Sequence, residues 1–147
     1  MFNREAATAL AAELFKPFET CELEAYLCPA GVWTIGWGHT GPDVHPGLVI
    51  SQDEADSLLV IDLHKAVEGV DAVIKVDLSP RQAGALISLT YNIGVEAFRD
   101  STLLKLLNIG NYDGAALQFA RWNKSKGKVL NGLIRRRAAE AKMFVEG

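Results

Sequence analysis

The chain reads as an α+β domain of two lobes. A small antiparallel sheet over residues 25–50 is joined by one long helix, 51–75, to a larger helical lobe made of 1–24 and 76–147. Three patterns predict this. Apolar residues recur at helical spacing before residue 19 and again beyond residue 52. Between those stretches, β-branched and aromatic residues are punctuated by Pro and Gly. A Ser-x-x-Glu capping box, Ser51 to Glu54, separates the two regimes. At 147 residues, 49% apolar and 22% charged, the chain is one globular domain able to bury a core, neither disordered nor membranous in composition.

Asn3 is the expected N-cap of a first helix with the apolar face Ala7, Leu10, Ala11, Leu14, Phe15 and Phe18. Pro17 removes a backbone donor near its end and predicts a kink or early stop just before Glu19. Tyr26-Leu27-Cys28 and Val32-Trp33-Thr34-Ile35 read as strands around a Pro29-Ala30-Gly31 turn, and Leu48-Val49-Ile50 as a short third strand. So small a sheet must pack on helices. The capping box starts the long helix, whose apolar positions are Ala55, Leu58, Leu59, Leu63, Ala66, Val67 and Val70. Ser79-Pro80 places an N-cap and an N1 proline before a strongly apolar helix ending near Gly94. Further helices are expected at Ser101–Leu107, Asp113–Trp122 and Leu130–Val145, and the Asn-Ile-Gly at 92–94 and 108–110 marks two helix ends.

The net charge of −3 is unevenly placed. Residues 1–119 carry 7 Lys and Arg against 16 Asp and Glu, whereas residues 120–147 carry 8 against 2. A basic helix docked on an acidic body accounts for this, and so does attraction to an anionic polymer or surface. Ala6–Ala12 lacks the basic start and cleavage site of a secretion signal, and no apolar run is long enough to span a bilayer. Synthesis in the cytoplasm without stable membrane insertion is the expectation. Two cysteines, Cys21 and Cys28, do not make a disulfide framework, although a bridge between them would need only Cα atoms within about 7 Å. His39, His45 and His64 show no ligand spacing, so neither a metal nor a cofactor is expected.

The chemistry concentrates in FETCELEAYLCPAGVWTIGWGHT, where Glu19, Cys28 and Thr34 stand as Glu-x8-Cys-x5-Thr. A carboxylate ending a helix, faced by polar groups on a hairpin, suits glycoside cleavage: one acid protonates the leaving oxygen while a water is held on the opposite sugar face. Together with Gly36, Trp37, Gly38, His39 and Thr40, these residues resemble the phage-type lysozymes, endolysins of glycoside hydrolase family 24. Tyr91-Asn92-Ile93-Gly94, Trp122, Gly132-Leu133 and Arg136-Arg137-x2-Glu140 extend the resemblance to nearly the whole chain.

The resemblance implies a lysozyme-like two-lobe fold. It also implies hydrolysis of the β-1,4 bond between N-acetylmuramic acid and N-acetylglucosamine in bacterial peptidoglycan, with inversion, by a monomer that needs no cofactor and binds no nucleic acid. The enzyme would be made in the host cytoplasm and reach the wall through a holin or another export route. Glu19 is then the acid, with Phe18, Trp33 and Trp37 as apolar walls, and Thr34 holds the attacking water. Cys28, where Asp is the familiar residue, orients water or, alternatively, attacks directly. A free thiol near pKa 8.5 is a poor base unless perturbed. Trp37 and Asn92 are the expected substrate contacts, and His39 is paired structurally with Asp62. An arginine of the last helix should approach Glu19, drawn from Arg135, Arg136 and Arg137, with Arg136 in the matching motif. Glu22 and Glu24 are solvated charges or substitutes for the missing carboxylate. The rival readings are a lytic transglycosylase, which Thr34 opposes because no water is needed there, and a non-catalytic wall-binding module.

Overall fold

A computed structural model describes residues 2–147. Asn3 caps helix α1 (Arg4–Phe15) by accepting from the Ala6 amide. Pro17 has the expected effect: the helix tightens into a 3₁₀ turn over Lys16–Phe18 and ends, leaving Glu19 extended at its exit. Strand β1 (Glu22–Leu27) then pairs antiparallel with β2 (Trp33–Gly36), and β2 with β3 (His39–Thr40), in the order β1-β2-β3. The sheet thus begins at Glu22, before residue 25, and Cys28 lies past the end of β1 in the turn.

The third strand is not where the sequence placed it. Leu48–Ile50 forms only a bridge, Glu24 to Val49, along the free edge of β1, with Ala25 donating to the Leu48 carbonyl and Ile50 to that of Leu23. His39–Thr40 fills the other edge instead. Gly36 and Gly38, both at positive φ, turn the chain sharply enough after β2 for the two residues to fold straight back.

Helix α2 (Gln52–Val73) starts at the predicted capping box: Ser51 accepts from the Glu54 amide at 3.1 Å and Glu54 accepts from the Ser51 amide at 3.2 Å. It buries Ala55 against Ala25, Ile35, Val44 and Ile50 of the sheet lobe. From Leu59 onward it buries its face in the main helical core. One helix therefore serves two cores. Helix α3 (Pro80–Ile93) crosses the centre of that main core and buries eight consecutive residues, Ala83 to Thr90. A short helix α4 (Val95–Arg99), which no helical spacing announced, follows Gly94 directly. Next come α5 (Thr102–Asn108) and α6 (Tyr112–Gln118), the latter passing into a 3₁₀ turn at Phe119–Arg121 before reaching Trp122. A two-strand hairpin, β4 (Lys124–Ser125) and β5 (Lys128–Val129), occupies the stretch between the expected helices Asp113–Trp122 and Leu130–Val145. Helix α7 (Asn131–Glu146) closes the lobe against α3. Among the described residues, no helix is long and apolar enough to cross a membrane.

Because α2 carries both cores, its first turn should be a cooperative weak point. Ser51→Ala removes the side-chain cap and should lower stability by about 1 kcal/mol in urea titration with an unchanged slope. Glu54→Ala should cost less, and the double variant little more than Ser51→Ala alone.

Candidate active site

Glu19 sits where α1 has just ended, at the mouth of a groove of about 410 Å³ lined by Pro17, Phe18, Asn92, Leu130, Leu133 and Arg136, among others. Its side chain is 39% exposed, and Arg136 Nη1 donates to its Oε1 at 3.4 Å. The structure thereby selects among the three arginines. Burial pushes the Glu19 carboxyl above its ordinary value, and the Arg136 charge, which pulls the other way, does not offset it. Of the three apolar walls expected around this carboxyl, Phe18 lines the groove. Trp33 packs against the sheet-lobe core instead.

Arg136 is held from behind. Its guanidinium is 4% exposed and lies 5.0 Å over the Phe15 ring. It donates through Nη2 to the Ser88 carbonyl at 3.2 Å and through Nε to Glu140 Oε2 at 3.4 Å. Glu140, fully buried, also pairs with Arg137 Nε at 2.8 Å and accepts from Ser88 Oγ at 2.6 Å. Arg137 in turn donates to Asn92 Oδ1 at 2.9 Å. Asn92, expected as a substrate contact, lines the groove with its side chain anchored to α7. Ser88 went unseen in the sequence because it looks like one more small residue on an apolar helix.

Across the hairpin, Thr34 is buried on β2 opposite Tyr26 of β1 and donates to the Val32 carbonyl at 3.0 Å. Cys28 is a free thiol in the turn, its own amide bonded to the Val32 carbonyl at 3.0 Å. The Val32 and Ala30 amides lower the Cys28 pKa most; partial burial opposes them, and Thr34 and Gly31 assist. The turn is a small nest of donors that favours thiolate. Tyr26 is raised by burial and then by the charges of Glu22, Cys28 and Glu19, so its phenol feels groups from both sides of the site. Cys21 is also free and accepts a long contact from Gln52 at 3.6 Å.

His39 is paired as the sequence suggested and carries a partner the sequence did not reveal. Nδ1 lies 2.9 Å from Asp62, and Nε2 lies 3.0 Å from Asp43, four residues on beyond the Gly41-Pro42 turn. Trp37 differs from expectation. It lines neither the Glu19 groove nor its continuation, but packs against both cores, its indole N–H donating to Asp56 at 2.7 Å and Lys16 lying 5.7 Å over its ring. It pins the two lobes together. Among the described residues, no three His, Cys, Asp or Glu side chains group as metal ligands.

Comparison with known proteins gives the family. The model of a family described as phage lysozyme matches residues 16–140. The endolysin of Bacillus phage B103 is 47% identical over 91% of the chain and 52% of its own length. The chain thus spans about half of that relative and of the similar Bacillus phage PZA endolysin, but 92% of a 45%-identical endolysin from Acyrthosiphon pisum secondary endosymbiont phage 1. A SAR-endolysin of Enterobacteria phage P21 is 41% identical over 80% of the chain and 71% of its length. Among solved structures, an endolysin from Escherichia coli O157:H7 phage FAHEc1 superposes with a TM-score of 0.85 at 40% identity, covering 93% of this chain and 91% of its own. The muramidase domain of SpmX from Asticaccaulis excentricus gives 0.83 at 38%, covering 92% and 94%. The fold is lysozyme-like.

His39 titrates upward. Burial alone would lower its pKa, but Asp62 and then Asp43 more than offset that. Its contribution is therefore full below the unfolded value near 6.5 and is lost as pH rises through the higher folded value. His39→Asn should cost about 1–3 kcal/mol at pH 6. The gap to wild type should narrow at pH 9, read by urea titration at both pH values. Activity per folded molecule should change little.

Proposed function

Because the chain belongs to the phage lysozyme family, we propose that it hydrolyses bacterial peptidoglycan at the β-1,4 bond between N-acetylmuramic acid and N-acetylglucosamine. The observation that carries this reading is the Glu19 carboxyl, its pKa raised by burial in the groove while it stays tethered to a guanidinium. A general acid needs a proton at working pH and stabilisation once it has lost it. Burial supplies the first and Arg136 the second.

In this mechanism Glu19 protonates the glycosidic oxygen as the bond opens toward an oxocarbenium-like state. Water attacks from the hairpin side. Thr34 has one proton and two lone pairs, and with the proton on the Val32 carbonyl its oxygen accepts from that water. Cys28, its pKa lowered by the turn amides, orients that water and faces the developing positive charge, and the water's proton passes to solvent as it attacks. A water placed opposite the leaving group gives inversion. The rivals are separated by products. Reducing ends on N-acetylmuramic acid support hydrolysis, 1,6-anhydro ends mean a transglycosylase, and binding without product means a wall-binding module. The enzyme acts as a monomer for host cell lysis, reaching the wall by a holin or another export route.

Glu19→Gln should fold and lose more than nine-tenths of lysis on purified sacculi, since an amide donates no such proton. In wild type, activity should fall as pH rises through a Glu19 pKa above the ordinary 4.5. A raised folded pKa means stability lost over the same rise, so the variant should match or exceed wild-type stability above it, by calorimetry.

Conservative changes at Cys28 distinguish water orientation from direct attack. Cys28→Asp should keep or raise activity and Cys28→Ser should retain a measurable part, with an α-anomeric first product by fast NMR. A nearly dead Ser variant with a β-anomeric product would identify a nucleophile, and a fully active Ala variant would reduce Cys28 to packing.

A further inference from the structure

The sheet lobe carries charge of one sign only. From residue 17 to 64 the sequence contains eight Asp or Glu and no Lys or Arg. Between β2, the loop 41–50 and the first turns of α2 lies a cavity of about 470 Å³, which shares no lining residue with the Glu19 groove. Its floor is apolar, made by Ile35, Leu48, Ile50 and Leu58. Its rim carries the exposed carboxylates Asp43, Asp53 and Glu54. Asp43 is shared with His39, and Glu54 accepts from the Ser51 amide. The Asp53 carboxylate makes no hydrogen bond or ion pair among the described residues, and none of the three meets a Lys or Arg there.

This combination sets the chemistry of an occupant. Nucleic acid, anionic lipid and anionic wall polymers are repelled by the rim. A bare metal ion would leave the apolar floor unused, and among the described residues no three carboxylates group as metal ligands. An apolar body that carries positive charge satisfies both halves, its carbon skeleton covering the floor while its cation meets the rim. The apolar surface also runs past the cavity along α2. Ile61, three residues after Leu58 and four after Ser57, shares that side of the helix and is 64% exposed. A polypeptide segment reaches both places, and a single small amine does not.

We propose that this cavity docks a partner protein through a segment in which an aliphatic or aromatic side chain is flanked by Lys or Arg. The site is independent of the peptidoglycan reading, since it uses neither Glu19 nor the residues around it. The probe is a short capped peptide with a leucine pair set between lysines and arginines, titrated into isotopically labelled protein by NMR. Saturable shifts should centre on Leu48, Ile50 and Leu58 and on the His39 ring, which an occupant reaches through Asp43. Replacing the peptide's leucines by serine at equal charge should weaken binding about tenfold or more. Rising salt should weaken it as well. Asp53→Asn should weaken it several-fold. Ser57→Arg should abolish it, because an arginine one turn after Asp53 pairs with that carboxylate and fills the mouth. Both variants should lyse sacculi as wild type does. Equal binding of the serine peptide, or shifts spread over all of residues 17–64, would reduce the lobe to diffuse charge attraction and overturn the proposal. Absence of saturable binding, or shifts centred on the Glu19 groove, would do the same. Sedimentation provides the last check: self-association that Ser57→Arg removes would give the cavity to a second copy of this chain instead of a partner.

Discussion

One fully buried carboxylate, Glu140, holds the helical side of the Glu19 groove in place. Two guanidiniums, Arg136 and Arg137, are buried beside it, and neither could be taken out of water without a counter-charge. Glu140 pairs with both from one turn further along α7, and Ser88 on α3 completes the set with a 2.6 Å hydrogen bond. Packing α7 onto α3 and aiming Arg136 at Glu19 are therefore the same event. Partial neutralisation by Glu140 also bears on chemistry. An uncompensated arginine 3.4 Å from a carboxylate would hold its pKa down, yet burial outweighs it at Glu19.

The other half of the site is built by a different device. Cys28 and Thr34 depend on a tight turn whose amides point at sulfur, and the sheet carrying them is too small to be stable alone. Three contacts tie it to α2: His39 to Asp62, Trp37 to Asp56, and Ala55 inside the sheet-lobe core. The position of the hairpin relative to the helices is thus set by a few polar pins. Residues that look functional by composition, His39 and Trp37, serve as those pins.

What could be read in the sequence followed its local rules. Asn3, Ser51 and Ser79 capped helices as expected, because capping is decided within four residues. Glu19, Cys28 and Thr34 were legible because their spacing lay inside one continuous string. Failures came where partners are distant or the local signal is short. Leu48–Ile50 has the composition of a strand but only bridges β1, while two glycines fold His39–Thr40 back onto β2. Helix α4 and the β4–β5 hairpin are too short for periodicity to register. Asp43, Asp56 and Ser88 acquire their roles only through folding. The choice of Arg136 over its neighbours likewise depends on helical phase at an interface that no local pattern reveals.

A thiol at position 28 changes the electrostatic problem the site must solve. A carboxylate there would be ionised at neutral pH, and its charge facing Glu19 would itself help keep the acid protonated. Cys28 gives Glu19 no resolved assistance of this kind; the causes acting on Glu19 are burial and Arg136 alone. Burial therefore does the raising, with Pro17 and Phe18 packed at the end of α1 beside the carboxyl. The turn amides act separately at Cys28, lowering the thiol toward the anion that the proposed chemistry uses. The two groups are pushed in opposite directions by separate local structures, so each can be altered without resetting the other.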